Sequence, residues 1–147
     1  MTNRVAIIGG GVSGLAAAFF LHRAGLPVVI VDQDRSSVRR ASLNNVPGLV
    51  GMPGPAYLTE LRRQTASLKS LPDKVRDVVP GAGGFVVHMD SGTLEAEYVV
   101  LATGSASFDL PSLALQVTDG RQPYVKRNVA VDRDFETDVA NAVSYTH

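Results

Sequence analysis

Apolar residues along this chain fall into runs of two kinds, and the difference predicts its elements. Val5-Ala-Ile-Ile8 and Val28-Val-Ile-Val31 are short, uninterrupted and β-branched, which is the pattern of strands covered on both faces. Between them, Leu15-Ala-Ala-Ala-Phe-Phe-Leu21 predicts a helix kept slim by its alanines. Gly25 stands where that helix should end, with Pro27 just beyond. After Pro55, Leu58, Leu61 and Leu68 recur on one face and predict a second helix reaching to about Leu68, with Arg62 and Arg63 on its outer side. From Val75 the pattern turns to strands. Val75–Val79 is followed by a turn at Pro80–Gly84, and Phe85–Met89 and Thr93–Glu97 form a hairpin through Asp90-Ser-Gly92. Tyr98-Val-Val-Leu101 again has buried-strand character and runs into Ala102-Thr-Gly104. Arg35–Pro55 and Ser105–Gln122 read as loops. A strand before Val75 shrinks to Leu71-Pro72, and Asn128-Val-Ala-Val-Asp132 is a last short strand.

Composition narrows the class. A chain of 147 residues suits one domain, 1–147, and the pattern shows no repeats or linker. Fourteen basic residues balance fourteen acidic ones, so charge points neither to nucleic acid nor to an anionic membrane. The uncharged run Val5–Leu21 is short for a membrane span and is broken by glycines, and no basic leader precedes a cleavage-like site. A cytoplasmic location is the expectation. With no cysteine, disulfides, thiolate metal sites and a Cys-x-x-Cys centre are absent from this sequence. His22, His88 and His147 show no ligand spacing, so no metal site is expected and solvent or structural roles are the default.

The chemistry lies in Gly9-x-Gly11-x-x-Gly14. Alone this is a weak motif; its context strengthens it, with a strand before, a small-residue helix after and Asp32 closing the next strand. Gly9 allows a tight turn, Gly11 carries no Cβ to obstruct a pyrophosphate, and Gly14 lets the helix approach the sheet. Backbone N–H groups around Val12 and Ser13 then face phosphate oxygens, helped by a helix dipole worth about 0.3–1 kcal/mol. Asp32, with Gln33 next to it, accepts hydrogen bonds from the adenosine ribose and repels a 2′-phosphate. Arg35, Arg39 and Arg40 follow on a loop where solvated charge is the default. The expectation is α/β: a Rossmann-like fold with a parallel sheet and a small antiparallel hairpin or meander.

Three segments together resemble the FAD-binding domain of thioredoxin reductase-like pyridine nucleotide–disulfide oxidoreductases. They are the fingerprint with Asp32; Asn45-Val-Pro-Gly48 followed by Gly54-Pro55 and a Leu-rich helix; and Tyr98-Val-Val-Leu-Ala-Thr-Gly104. Asn128–Thr137 looks like the family's strand before its C-terminal flavin motif. The resemblance implies a three-layer FAD-binding fold. It also implies cofactor contacts from Gly9, Gly11, Val12, Ser13, Gly14, Asp32, Gln33, Asn45, Val75, Thr103 and Gly104, with Ser105 near the flavin turn. By the same spacing the family's Gly-Asp falls at Thr146 and His147, and its nicotinamide domain and cysteine pair are absent here. A fragment, an altered form, or a chain completed by association, a homo-oligomer included, all remain open.

The implied function is an FAD flavoprotein taking electrons from diffusible NAD(P)H or from a separate redox partner. Two other readings stay open. One is an NAD-binding dehydrogenase on the same fingerprint, against which no catalytic His, Tyr-Lys or Cys can be placed. The other is a non-catalytic cofactor-binding or interaction module. No residue stands out as a catalytic acid, base or nucleophile; Asp90, Glu95 and Glu97 sit on or beside the hairpin, where exposed charge is ordinary.

Overall fold

The computed structural model describes residues 3–104, 109–120 and 125–144. β1 (Val5–Ile8), α1 (Val12–Arg23) and β2 (Val28–Asp32) follow one another as the apolar pattern predicts. α1 stops cleanly. Gly25 takes φ 83° and donates to the His22 carbonyl, while the Leu26 N–H reaches back to Leu21, so the last carbonyls are satisfied by a Schellman motif.

The segment after β2 is less irregular than its Asn, Pro and Gly content predicts. A 3-10 turn at Ser37–Arg40 leads into the antiparallel pair β3 (Ser42–Leu43) and β4 (Met52–Pro53). α2 spans Gly54–Gln64 and ends short of Leu68. The cause is Thr65, whose hydroxyl donates to the Leu61 carbonyl at 3.0 Å and whose backbone is no longer helical. Leu68 still packs against the core that α2 serves. The strand expected at Leu71-Pro72 alone is β5 (Lys69–Pro72), paired in parallel with β2 from Val29↔Lys69 to Asp32↔Pro72. Its polar Lys69-Ser70 half hid it, because an exposed edge strand needs no apolar run.

β6 (Val75–Gly81), β7 (Gly84–Met89) and β8 (Gly92–Ala96) form an antiparallel meander, and β9 (Tyr98–Leu101) returns to the main sheet. Beyond it come a 3-10 turn at Pro111–Leu113, β10 (Val117–Asp119), β11 (Arg127–Val129) and β12 (Ala142–Ser144). Two expectations change here. The loop assigned to Ser105–Gln122 contains β10, and the strand expected at Asn128–Asp132 is β11, which pairs with β10 outside the main sheet. β12 takes the place beside β9 instead.

The parallel sheet therefore reads β12-β9-β1-β2-β5. Alternate residues serve opposite faces, as the pleat requires. Val5, Ile7, Val28, Ile30 and Val100 pack with Leu15 and Ala18 of α1 and Leu58 of α2. Ala6, Ile8, Val29, Val31, Val99 and Leu101 pack with Val78, Phe85, Val87 and Leu94 of the meander. Helices, parallel sheet and meander make three layers. Each fully buried Leu or Val contributes roughly 1.5–3 kcal/mol of transfer free energy to holding them together.

The helical layer is incomplete on one side. α2 covers one flank of α1. The other flank opens on an apolar groove of about 720 Å³ lined by Ala16, Ala17, Phe20, Tyr98 and Val143. Phe20 is 68% exposed there, its ring held edge-on by Phe19 at 5.3 Å.

Candidate functional site

The candidate site lies at the carboxyl edge of the parallel sheet. β1 sits centrally, with β2 on one side and β9 on the other, so the chain leaves β1 where the strand order reverses. Open α/β sheets form a crevice at such a point. Hydrogen bonds from Gly9 N–H to Val31 O and from Ala102 N–H to Ile8 O, both 2.8 Å, fix the turn between the two neighbouring strands.

The glycines there meet distinct steric demands. Gly9 has φ 108°, and a Cβ on it would lie 2.2 Å from the Ala102 carbonyl oxygen. A Cβ on Gly14 would lie 1.8 Å from the Gly9 carbonyl oxygen, so the first turn of α1 rests directly on the glycine turn. Gly11 is the N-cap of α1 and offers no side-chain hydrogen bond; the first turn also holds no acidic residue. The N–H groups of Val12 and Ser13 therefore face an end of the helix that favours an anion. Ser13 also borders the apolar groove.

The sequence motif passed over Gly10. A Cβ at that position would stand 2.5 Å from Asp32 Oδ2, so the glycine makes room for the carboxylate itself. Asp32 ends β2 with its side chain 19% exposed. Gln33 beside it is exposed. Opposite, Thr103 follows β9 with its hydroxyl buried and without a hydrogen-bond partner, and Gly104 turns the chain at φ 71°. Such an orphaned hydroxyl is costly, which makes it a natural contact for a bound group.

The structure thus gathers Gly9, Gly11, Val12, Ser13, Gly14, Asp32, Gln33, Thr103 and Gly104 on neighbouring turns. Asn45 and Val75 stand on other elements: Asn45 is exposed between β3 and β4, and Val75 opens β6 packed against the core. Ser105, Thr146 and His147 lie outside the described residues. His22 and His88 are exposed.

Arg62 departs from its expected outward position. From α2 it places Nη2 2.5 Å from Asp34 Oδ1 and 3.7 Å from Asp32 Oδ2. Arg39 also pairs with Asp34, whereas Arg35 and Arg40 are exposed. Arg62 first, then Arg39, hold the Asp34 carboxyl below its ordinary range. Asp34 was not singled out by any motif; its one sequence-level signal is its place two residues past the strand-ending acid. Among the described residues, no group of three or more His, Asp and Glu side chains could hold a metal ion, and no helix is long and apolar enough to cross a membrane.

The sequence profile of the pyridine nucleotide-disulphide oxidoreductase family matches residues 3–140. A ferredoxin–NADP reductase of Streptococcus gordonii is 26% identical over 121 residues, covering 76% of this chain and 38% of that protein. The chain spans less than half the length of the curated relatives it matches. Among solved structures, an atypical thioredoxin reductase of Desulfovibrio vulgaris Hildenborough superposes with TM-score 0.65 at 28% identity, over 72% of this chain and 37% of that one. An oxidoreductase from Agrobacterium tumefaciens superposes with TM-score 0.84 over 98% of this chain and 89% of its own; at 15% identity that likeness carries the fold alone.

Proposed function

From the premise that the chain belongs to the pyridine nucleotide-disulphide oxidoreductase family, we propose that it is an FAD-binding domain and works as a flavoprotein. The observation that carries this reading is the buried, unpartnered Thr103 hydroxyl on the strand end that adjoins the Gly9 turn, which leads into an uncapped helix N-terminus. One feature suits a pyrophosphate and the other a polar group further along the same ligand. Gly9, Gly11 and Gly14 let the backbone approach the ligand, and the N–H groups of Val12 and Ser13 take the phosphate charge. Asp32, backed by Gly10 with Gln33 beside it, accepts from the adenosine ribose; Thr103 and Gly104 border the opposite side. Asn45 and Val75 belong to the proposed contact set as residues of the β3–β4 turn and the start of β6.

FAD, when bound, supplies the redox chemistry, and the chain supplies binding, orientation and shielding. Residues 1–147 hold no cysteine, so they supply no thiol for a thiol–disulfide step. Reducing equivalents come in this reading from diffusible NAD(P)H or a separate redox protein. Residues 1–147 act as one cofactor-binding domain, in a soluble cytoplasmic setting.

An absorbance spectrum of the purified protein between roughly 350 and 500 nm, before and after adding FAD, tests the proposal directly. Flavin bands that persist through gel filtration support it. Protein that stays colourless and takes up no added FAD sinks it.

A further inference from the structure

At the end of β2, two acids and two arginines form a chain of contacts, Arg39 to Asp34 to Arg62 to Asp32. Arg62 Nη2 contacts Asp34 Oδ1 at 2.5 Å, Arg39 pairs with the other Asp34 oxygen, and Asp32 stands 3.7 Å from the same Arg62 nitrogen. Asp34 adopts φ 57°, an uncommon conformation for a residue with a side chain. Both arginines remain 41–47% exposed at their side chains and are therefore within reach of a ligand. An arginine is well suited to a phosphate, because its planar fork offers parallel donors and a permanent charge. Here Asp34 engages one nitrogen of each guanidinium, one with either carboxylate oxygen.

We infer that Asp34 masks a 2′-phosphate site: by pairing with Arg39 and Arg62 it keeps the adenosine end selective for a ribose 2′-hydroxyl. A 2′-phosphate arriving beside Asp32 meets a carboxylate, with the Arg62 and Arg39 guanidinium groups already engaged by Asp34. Remove the charge of Asp34 and two cations face one anion, with exposed Arg35 and Arg40 on the same loop adding to the positive field. Asp32 alone then no longer decides the preference. The inference rests on the proposed adenosine site, but not on the flavin end of the ligand.

The test uses ADP-ribose and 2′-phospho-ADP-ribose, which differ only at the 2′ position, titrated calorimetrically into the intact chain. Wild type is expected to favour ADP-ribose. In Asp34→Asn the ratio of affinities shifts toward the 2′-phosphate by roughly tenfold, a shift that added salt diminishes because it is carried by arginine–phosphate pairing. Asp34→Asn combined with Arg62→Ala returns the ratio toward wild type, and Asp34→Glu preserves it. A ratio unchanged by Asp34→Asn in folded protein overturns the inference, even if FAD is bound. The predicted shift in a chain that takes up no FAD upholds the inference and removes the flavin reading. Wild-type protein that binds neither nucleotide overturns the inference, while the flavin reading is decided separately by FAD uptake.

Discussion

The two flanks of α1 are built differently. On one side α2 lies against it, Leu58 is buried to 2% exposure between the helices and the sheet, and Arg62 extends from the same helix to the acids at the end of β2. On the other side a short edge strand, β12, leaves an open apolar groove with Phe20 on its rim. The same helix thus has one flank that is packed and electrostatically tied and one that is bare. The lesson is that the electrostatic ties are concentrated where the packing is complete: Asp32, Asp34 and Arg62 all stand on the covered side.

Substitutions can sharpen or break that contrast. The largest effect is expected at the joint between the flanks. Gly14→Ala sets a Cβ against the unyielding backbone carbonyl of Gly9 and should cost about 4 kcal/mol or prevent folding, read by urea denaturation. Leu58→Ala on the covered flank should cost about 3 kcal/mol in the same measurement. A loss below 1 kcal/mol there, on the order of an exposed site, would erase the distinction between the flanks. Thr103→Val, at the centre, should leave the ligand-free protein as stable or up to about 1 kcal/mol more stable, because it removes an unpaired hydroxyl, while weakening FAD binding.

Acid titration probes the electrostatic tie. Asp34 is held below its ordinary value of 3.8 chiefly by Arg62 and then by Arg39. Its pairing therefore contributes above the unfolded-state value and is lost as pH falls through the lower native one. Carboxyl NMR should show an Asp34 midpoint under 3.8 that rises in Arg62→Ala. Glu60 on the same helix, held at about 2 by Arg63 and then Gln64, should not follow it. The smallest effect belongs to the bare flank: Phe20→Ser should change stability by no more than about 0.5 kcal/mol, since a ring already in solvent loses little.

Much of the covered side was legible in the sequence, because its signals are local. Val5–Ile8, the glycine turn, Leu15–Leu21 and Val28–Asp32 announce their elements within a few residues of one another, and the structure follows them. The meander was legible as a hairpin with a strand before it. What the pattern hid lies at the edges. β5 is half polar, and β12 is three residues of Ala-Val-Ser with no apolar run, so the pattern marks the more strand-like Asn128–Asp132 as the last short strand. Asp34 and Arg62 escaped for another reason. Their encounter joins residues far apart in the chain, and nothing near either one encodes it. Gly10 was visible as a residue, but its role depends on where the Asp32 carboxylate points.

The pairing of β1 predicts an order in time for its two neighbours. β1 meets β2 after a single helix, but its other side waits for β9, with Val5 against Tyr98. Contacts so distant in sequence are slow to close, because chain entropy is lost before they form. The Gly9 turn is locked by Ala102 only when that second pairing is made, so ligand affinity should emerge with the last kinetic phase of refolding. Stopped-flow refolding in the presence of FAD can follow this as flavin fluorescence change; affinity arriving in the first phase would contradict it. A nascent chain that has emerged only as far as β2 would carry Gly9, Gly11 and Gly14 and still lack the β9 pairing that closes their turn.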